Sequence, residues 1–264
     1  MKSQEIIAAL ERRSPASYAE EWDRENVGLQ VGDRNWPVHK VYLAVDATEE
    51  VVADAIAKGA DMLVTHHPMI FGGIRKINAD SSIGRRILQL VQHQVTYFAI
   101  HTNYDVRGMA ECAAKYMGLE DSEVLEVTCI EPDGTPQGIG RYGELRQPVT
   151  LADMAEFVKQ RFSIDAVKVF GNPQQKITTI AISPGAGKNM VGAGFACGAD
   201  VLITGDIDHH TGIDAVDEGM AIIDAGHYGI EHIFVADTQA YLQEAFGDAV
   251  EILCEPHKQP FWVV

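Results

Sequence analysis

Apolar residues recur along this chain in two alternating rhythms. Short unbroken runs bounded by turn residues read as buried strands, and stretches with apolar positions three and four apart read as helices. Residues 40–46 (KVYLAVD), 62–65 (MLVT) and 95–100 (VTYFAI) are runs of the first kind. Residues 49–58, 83–93 and 109–117 carry the helical rhythm. Gly59 and Gly118 stand where a helix closes on a left-handed residue. The alternation predicts an α/β fold with buried strands.

The middle of the chain differs. Residues 123–147 show short β-like runs broken by turn signals such as Pro132-Asp133-Gly134. A helix is predicted over 151–162 and strands over 166–170 and 176–182. The alternation then resumes, with helices over 190–197, around 213–218 and over 230–246, and strands over 201–204, 220–224 and 250–253.

A weak internal repeat runs through this pattern. Residues 59–65 (GADMLVT) echo residues 198–204 (GADVLIT). The first copy is followed by His66-His67, the second by Gly205-Asp206 and then His209-His210. Further on, residues 97–100 lead to His101-x-x-x-Asp105, and residues 221–224 lead to His227-x-x-x-Glu231. Two matches in one order predict two similar α/β halves, 1–122 and 123–264. Polar residues at strand ends place the expected site between the halves, at the strand C-terminal edges.

Composition changes the picture at a few points. At 264 residues, 46% hydrophobic, the chain can bury a sizeable core. Its net charge of −17 repels a phosphate backbone, and no Lys/Arg run forms a local basic stripe, so nucleic acid is not an expected partner. Cys112, Cys129, Cys197 and Cys254 are scattered without a CxxC pair. They read as reduced thiols of a cytoplasmic protein. The N-terminal stretch MKSQEIIAALERR is amphipathic rather than signal-like, and no run approaches a membrane span.

The candidate chemistry lies in histidines and acids. Seven of the ten histidines sit in four places: His66 and His67, His101, His209 and His210, and His227 and His232. At a strand end the backbone turns, and Pro68 excludes the helical region for His67, so both imidazoles can reach one site. If a helix begins near residue 228, His227 and Glu231 share one face, one turn apart, and the carboxylate could bridge two metals. His101 and Asp105 follow the same logic. Each pair taken alone is equally well a set of solvated polar residues near a helix start. Taken together they are imidazole and carboxylate donors without thiolate, a set that suits Zn, Fe, Mn or Co.

Two other features stay open. Ser183-Pro184-Gly185-Ala186-Gly187-Lys188-Asn189 follows a strand and precedes a helix. Its N–H groups and Lys188 could hold a phosphate, or it is a tight turn. It is not a Walker A loop, because no Gly stands five residues before Gly187 and Asn189 replaces Ser/Thr. His209 and His210 either line the same cleft or form a polar wall.

The segments Trp22-Asp23…Asn26-Val27-Gly28-Leu29-Gln30-Val31-Gly32, Thr65-His66-His67-Pro68, His101-Thr102-Asn103-Tyr104-Asp105, Thr204-Gly205-Asp206…His209-His210 and Gly226-His227-Tyr228-Gly229-Ile230-Glu231 resemble the Nif-three-like family over nearly the whole chain. Its members are often described as GTP cyclohydrolase type 2 homologues. The resemblance implies two similar α/β halves, a hexameric ring and two divalent ions per chain. It places His66, His67, Asp105, His227 and Glu231 on the ligands, with Glu231 bridging. It leaves His101 beside them as a candidate proton carrier or as a residue that orients a ligand. The segment Trp22-Asp23-Arg24-Glu25-Asn26 is two residues longer than the family's usual Trp-Asp-Asn, and 264 residues leave no room for the domain that some members insert between the halves. The activity implied is hydrolysis of a small, phosphorylated substrate such as GTP by two metals. The alternative is a metal-binding or regulatory interaction protein without catalysis.

Overall fold

The computed structural model describes residues 1–264. Its strands are β1 (Gly28–Val31), β2 (Lys40–Ala44), β3 (Met62–Thr65), β4 (Thr96–Ala99), β5 (Glu123–Ile130), β6 (Pro136–Thr150), β7 (Lys168–Phe170), β8 (Lys176–Ala186), β9 (Val201–Gly205), β10 (Ala221–Asp224) and β11 (Glu251–Cys254). They form two sheets in two compact units. One unit comprises Met1–Tyr104 and Phe234–His257, the other Asp105–Ile233 and Lys258–Val264.

The first unit holds a five-stranded sheet in the order β1-β4-β3-β2-β11. All neighbours are parallel except β1, which runs antiparallel to β4. Every residue of β3 and β4 is buried, as a parallel strand covered on both faces requires. The helix Glu49–Ala57 starts where the Thr48 side chain accepts from the Val51 N–H, and Ser81 does the same for Ser82–Gln92 through Gly84. Neither β1 nor the enrolment of β11 in this sheet follows from local periodicity. Leu253 pairs with Tyr42 across more than two hundred residues of chain.

The second unit holds a six-stranded sheet in the order β5-β6-β8-β9-β10-β7. Strands β8, β9 and β10 are parallel, and the rest join antiparallel. The irregular middle of the chain is the β5–β6 hairpin. Its turn is closed by Glu131 and Thr135, with Gly134 at φ +90°. The helix expected over 230–246 is two helices, His227–Glu231 and Ile233–Phe246, the first in this unit and the second, from Phe234 on, in the other. No helix is long and apolar enough to cross a membrane.

The internal repeat has a physical basis. Gly59 and Gly198 both sit at φ +72°, each closing a helix. The following Ala60 and Ala199 N–H groups each donate back into that helix, to Ala55 and Gly194. The third residue does matching work in both units. Asp61 Oδ2 accepts from the N–H groups of His39 and Lys40 at 2.7 and 3.0 Å. Asp200 Oδ2 accepts from those of Thr178 and Thr179 at 2.7 and 2.8 Å. One carboxylate per unit thus ties the start of a strand to its parallel neighbour, β2 to β3 and β8 to β9.

Gly187 shows how closely β8 and β9 approach at their ends. A Cβ there would stand 1.9 Å from Thr204 Oγ1. Gly187→Ala is expected to lower stability by about 1–3 kcal/mol, read as a reduced urea midpoint at unchanged slope.

Candidate metal centre

In the first unit the imidazoles emerge where β3 and β4 end. Thr65 is the last residue of β3, and its hydroxyl donates to the His67 carbonyl at 2.7 Å. The buried Tyr97 hydroxyl reaches the same carbonyl at 3.0 Å and accepts from the Met69 N–H at 2.8 Å. These bonds fix the turn that aims His66 and His67 to one side. His101 follows β4 directly. The ring centroids of His66, His67 and His101 lie 4.8, 5.3 and 5.5 Å apart, and their ligand nitrogens all lie within 4.8 Å of one another. His66 is fully buried, and the rings of Tyr104 and Phe234 stand 6.0 and 5.6 Å from it.

Each of these rings is tied down at Nδ1. His66 Nδ1 donates to the Ile100 carbonyl at 3.0 Å, His67 Nδ1 to Asp46 Oδ1 at 2.8 Å and His101 Nδ1 to Asp23 Oδ2 at 2.9 Å. A carbonyl or an ionised carboxylate can only accept, so the Nδ1 atoms carry the protons. In the neutral ring Nε2 then holds the lone pair, the arrangement found when histidines bind metals. Asp23 is itself fully buried and accepts further bonds from the Thr102 N–H and hydroxyl and from Asn26. Burial opposes its charge, but bonds from His101, Thr102 and Asn26 outweigh that and hold its carboxyl below the usual range.

In the second unit the donors are His227, Glu231 and Asp105. The predicted one-turn spacing is realised in the helix His227–Glu231. His227 Nδ1 donates to Asp206 Oδ2 at 2.8 Å, so the same rule applies as in the first unit. His227 Nε2 lies 3.1 Å from Glu231 Oε2. Glu231 is 3% exposed. Carboxylate oxygens of Asp105 and Glu231 lie within 4.8 Å of each other. Gly185, at φ +84°, makes room for this cluster: a Cβ there would stand 2.5 Å from Glu231 Oε1. A Cβ on Gly205 would stand 2.8 Å from the His227 backbone nitrogen.

The His227–Glu231 pair constrains what can sit there. With Nδ1 protonated, a neutral His227 points a lone pair at a carboxylate oxygen 3.1 Å away. Two acceptors at that distance repel unless a proton, carried by either group, or a metal ion lies between them. Two donors bound to one metal at about 2.1 Å each stand roughly 3 Å apart. The donors in both units are imidazole nitrogen and carboxylate oxygen, which fit Zn, Fe or Mn without selecting among them.

Other sequence candidates fall elsewhere. His209 and His210 open the helix His209–Asp217, exposed and packed on each other at 5.2 Å, and join neither donor group. In the segment 183–189, β8 runs on to Ala186 and Gly187–Met190 form a single 3-10 turn. Lys188 pairs with Asp208 at 2.8 Å, and together with the Thr211 bonds it holds that carboxyl well below its ordinary range. Asp23 and Asp206, which orient two of the rings, stand in the motif segments quoted above without a role assigned to them, and Asp46, which orients a third, was not singled out. Their only local signal is an acid at or just beyond the end of a strand or turn.

The family described as Duf34/NIF3 (NGG1p interacting factor 3) matches residues 1–260. A Clostridium perfringens protein named GTP cyclohydrolase 1 type 2 homolog is 31% identical over 264 residues, covering 99% of both chains. A Streptococcus pneumoniae protein of the same name is 34% identical, covering 96% of both. Among solved structures, a Bacillus cereus protein related to NIF3 superposes with a TM-score of 0.93 at 26% identity, covering 100% of this chain and 99% of that one. A Staphylococcus aureus hypothetical protein superposes at 0.91 with 30% identity and the same coverage. These matches run along nearly the whole length of a chain with two α/β halves, and the chain belongs to the DUF34/NIF3 family.

Proposed function

We propose that this protein is a dinuclear metal-dependent hydrolase. In this reading His66, His67, Asp105, His227 and Glu231 would hold two divalent ions. The observation that carries it is the 3.1 Å approach of His227 Nε2 to Glu231 Oε2, with Nδ1 already committed to Asp206.

Ions held there supply Lewis acidity for attack of water on a polarised bond. The chain's own residues do the remaining work. Imidazoles fixed at Nδ1 hold their Nε2 atoms in place without reorganisation. His101, oriented by Asp23, is the group that takes a proton from water at Nε2 and delivers it to the leaving group. The relatives' name makes GTP the first substrate to test. A hexameric assembly in the cytoplasm completes the reading. The family description, an interacting factor, favours a second reading as a metal-holding regulatory partner.

Elemental analysis separates these readings from a purely structural histidine cluster. Wild-type protein is expected to hold about two equivalents of Zn, Fe or Mn per chain, and Glu231→Ala close to none. Less than half an equivalent in reconstituted wild type would overturn the metal reading. Asp206→Ala is expected to keep the fold and weaken metal binding about 10–100-fold, measured by competition with a chelator. Formate release from GTP by the fully loaded protein supports the hydrolase. Two tightly held ions with no release from GTP would leave the regulatory reading in its place.

A further inference from the structure

Two large aromatic side chains stand in the open beside the imidazole cluster. Trp22 is 57% exposed and Phe71 is 62% exposed. Their ring centroids are 5.8 Å apart at an interplanar angle of 45°. That is contact distance, so the two rings form one continuous surface rather than a slot. Both meet His101 edge-on, Trp22 at 6.0 Å and 81°, Phe71 at 6.4 Å and 77°. An occupant of this surface is therefore held next to a ring whose own centroid is 5.3 Å from that of His66.

The pair is built, not incidental. Trp22 belongs to the turn Glu21–Asp23, and its indole N–H donates to Glu20. Phe71 lies in a different segment, clipped to the first by two buried or half-buried amides. Asn26 Oδ1 accepts from the Gly72 N–H at 2.9 Å. Gln30 Oε1 accepts from the Ile70 N–H at 2.9 Å, and Gln30 Nε2 donates to the Ile70 carbonyl at 2.7 Å. These three bonds bracket Phe71 on both sides and hold its backbone against the strand-and-turn segment that carries Trp22. Isolated exposed apolar residues are ordinary. Two aromatic rings locked together at the edge of a donor cluster are a surface that water wets poorly and a flat ring covers well.

We propose that Trp22 and Phe71 form a stacking platform that takes the planar heterocyclic ring of the substrate and sets its position relative to His101. The proposal rests on the reading of the imidazole cluster as the reacting centre, and it adds the class of ligand and the residues that select it. Stacking on an aromatic face tolerates many planar rings, so the platform selects for flatness and leaves finer discrimination to other groups. A substrate with a flexible chain in place of the ring gains nothing from it.

Calorimetric titration of wild type, Trp22→Ala, Trp22→Phe and Phe71→Ala with guanosine, GTP and inorganic tripolyphosphate tests this. Guanosine carries the ring without phosphate, and tripolyphosphate carries charge without the ring. Trp22→Ala is expected to weaken guanosine and GTP about tenfold or more, Phe71→Ala to weaken both, and Trp22→Phe to stay within about threefold of wild type. Tripolyphosphate affinity is expected to be unchanged in every variant. The proposal falls if guanosine does not bind wild type, if both alanine variants bind it as wild type does, or if tripolyphosphate weakens in step with it. Metal content measured on the same samples keeps the two readings apart. A platform effect in protein that holds no metal overturns the metal centre alone, and metal-replete protein indifferent to Trp22 overturns the platform alone.

Discussion

A neutral imidazole has one proton to place between two nitrogens, and whatever accepts at Nδ1 decides what Nε2 can do. This chain makes that choice four times in one direction. His66, His67, His101 and His227 each donate from Nδ1 to an oxygen at 2.8 to 3.0 Å. The four acceptors come from four places: the backbone after β4, the end of the β2 segment, the turn at residues 21–23 and the residue after β9. Each ring is therefore correctly set only when the element that supplies its acceptor is folded. The tautomers are a consequence of sheet order, and a donor cluster with Nε2 lone pairs cannot exist in the unfolded chain.

The repeat explains how one sheet edge came to carry so many polar groups twice. A parallel strand covered on both faces has room for them only at its ends. In each unit a Gly-Ala-Asp triplet starts the middle strand, and its Asp fixes the register with the neighbour through two backbone N–H groups. With the strand start fixed, the strand end is fixed too, and the residue that follows is delivered to a defined place. The two copies share this clamp and differ in what they deliver. The first ends in a His pair. The second ends in Asp206, which orients the His227 ring rather than donating one.

Local pattern carried most strands and helices and singled out imidazoles and carboxylates that the structure gathers near strand ends, because burial on both faces and short-range helix spacing leave traces within a dozen residues. It did not carry the acceptors. Asp46 acts on a ring 21 residues away, Asp206 on one 21 residues away and Asp23 on one 78 residues away. Acids just past strands or in first turns are common for reasons of solvation and the helix dipole, so nothing local assigns any of these three a ring to orient. The same limit hid β1 and the place of β11 in the first sheet, which sheet order alone sets. Gly185 and Gly187 read as a phosphate loop candidate in one dimension. In three dimensions they are the absence of side chains where Glu231 and Thr204 need the space.

The short turn Glu21–Asp23 shows why orientation of the His101 ring and presentation of the aromatic surface are not independent. In a 3-10 turn successive residues point about 120° apart, so Trp22 faces solvent while Asp23 is fully buried against His101 and Thr102. Asn26 then links back to Asp23 through Nδ2 at 3.1 Å and forward to Gly72 through Oδ1 at 2.9 Å. One amide thus joins the carboxylate that sets His101 to the backbone that carries Phe71. Any shift of this loop moves the aromatic surface and the His101 ring together. A chain that needed only a solvated loop here would have no use for a buried aspartate, an amide cross-link and an exposed tryptophan within five residues. Their conjunction is what the proposed platform uses: one loop that presents an aromatic surface and sets the imidazole beside it.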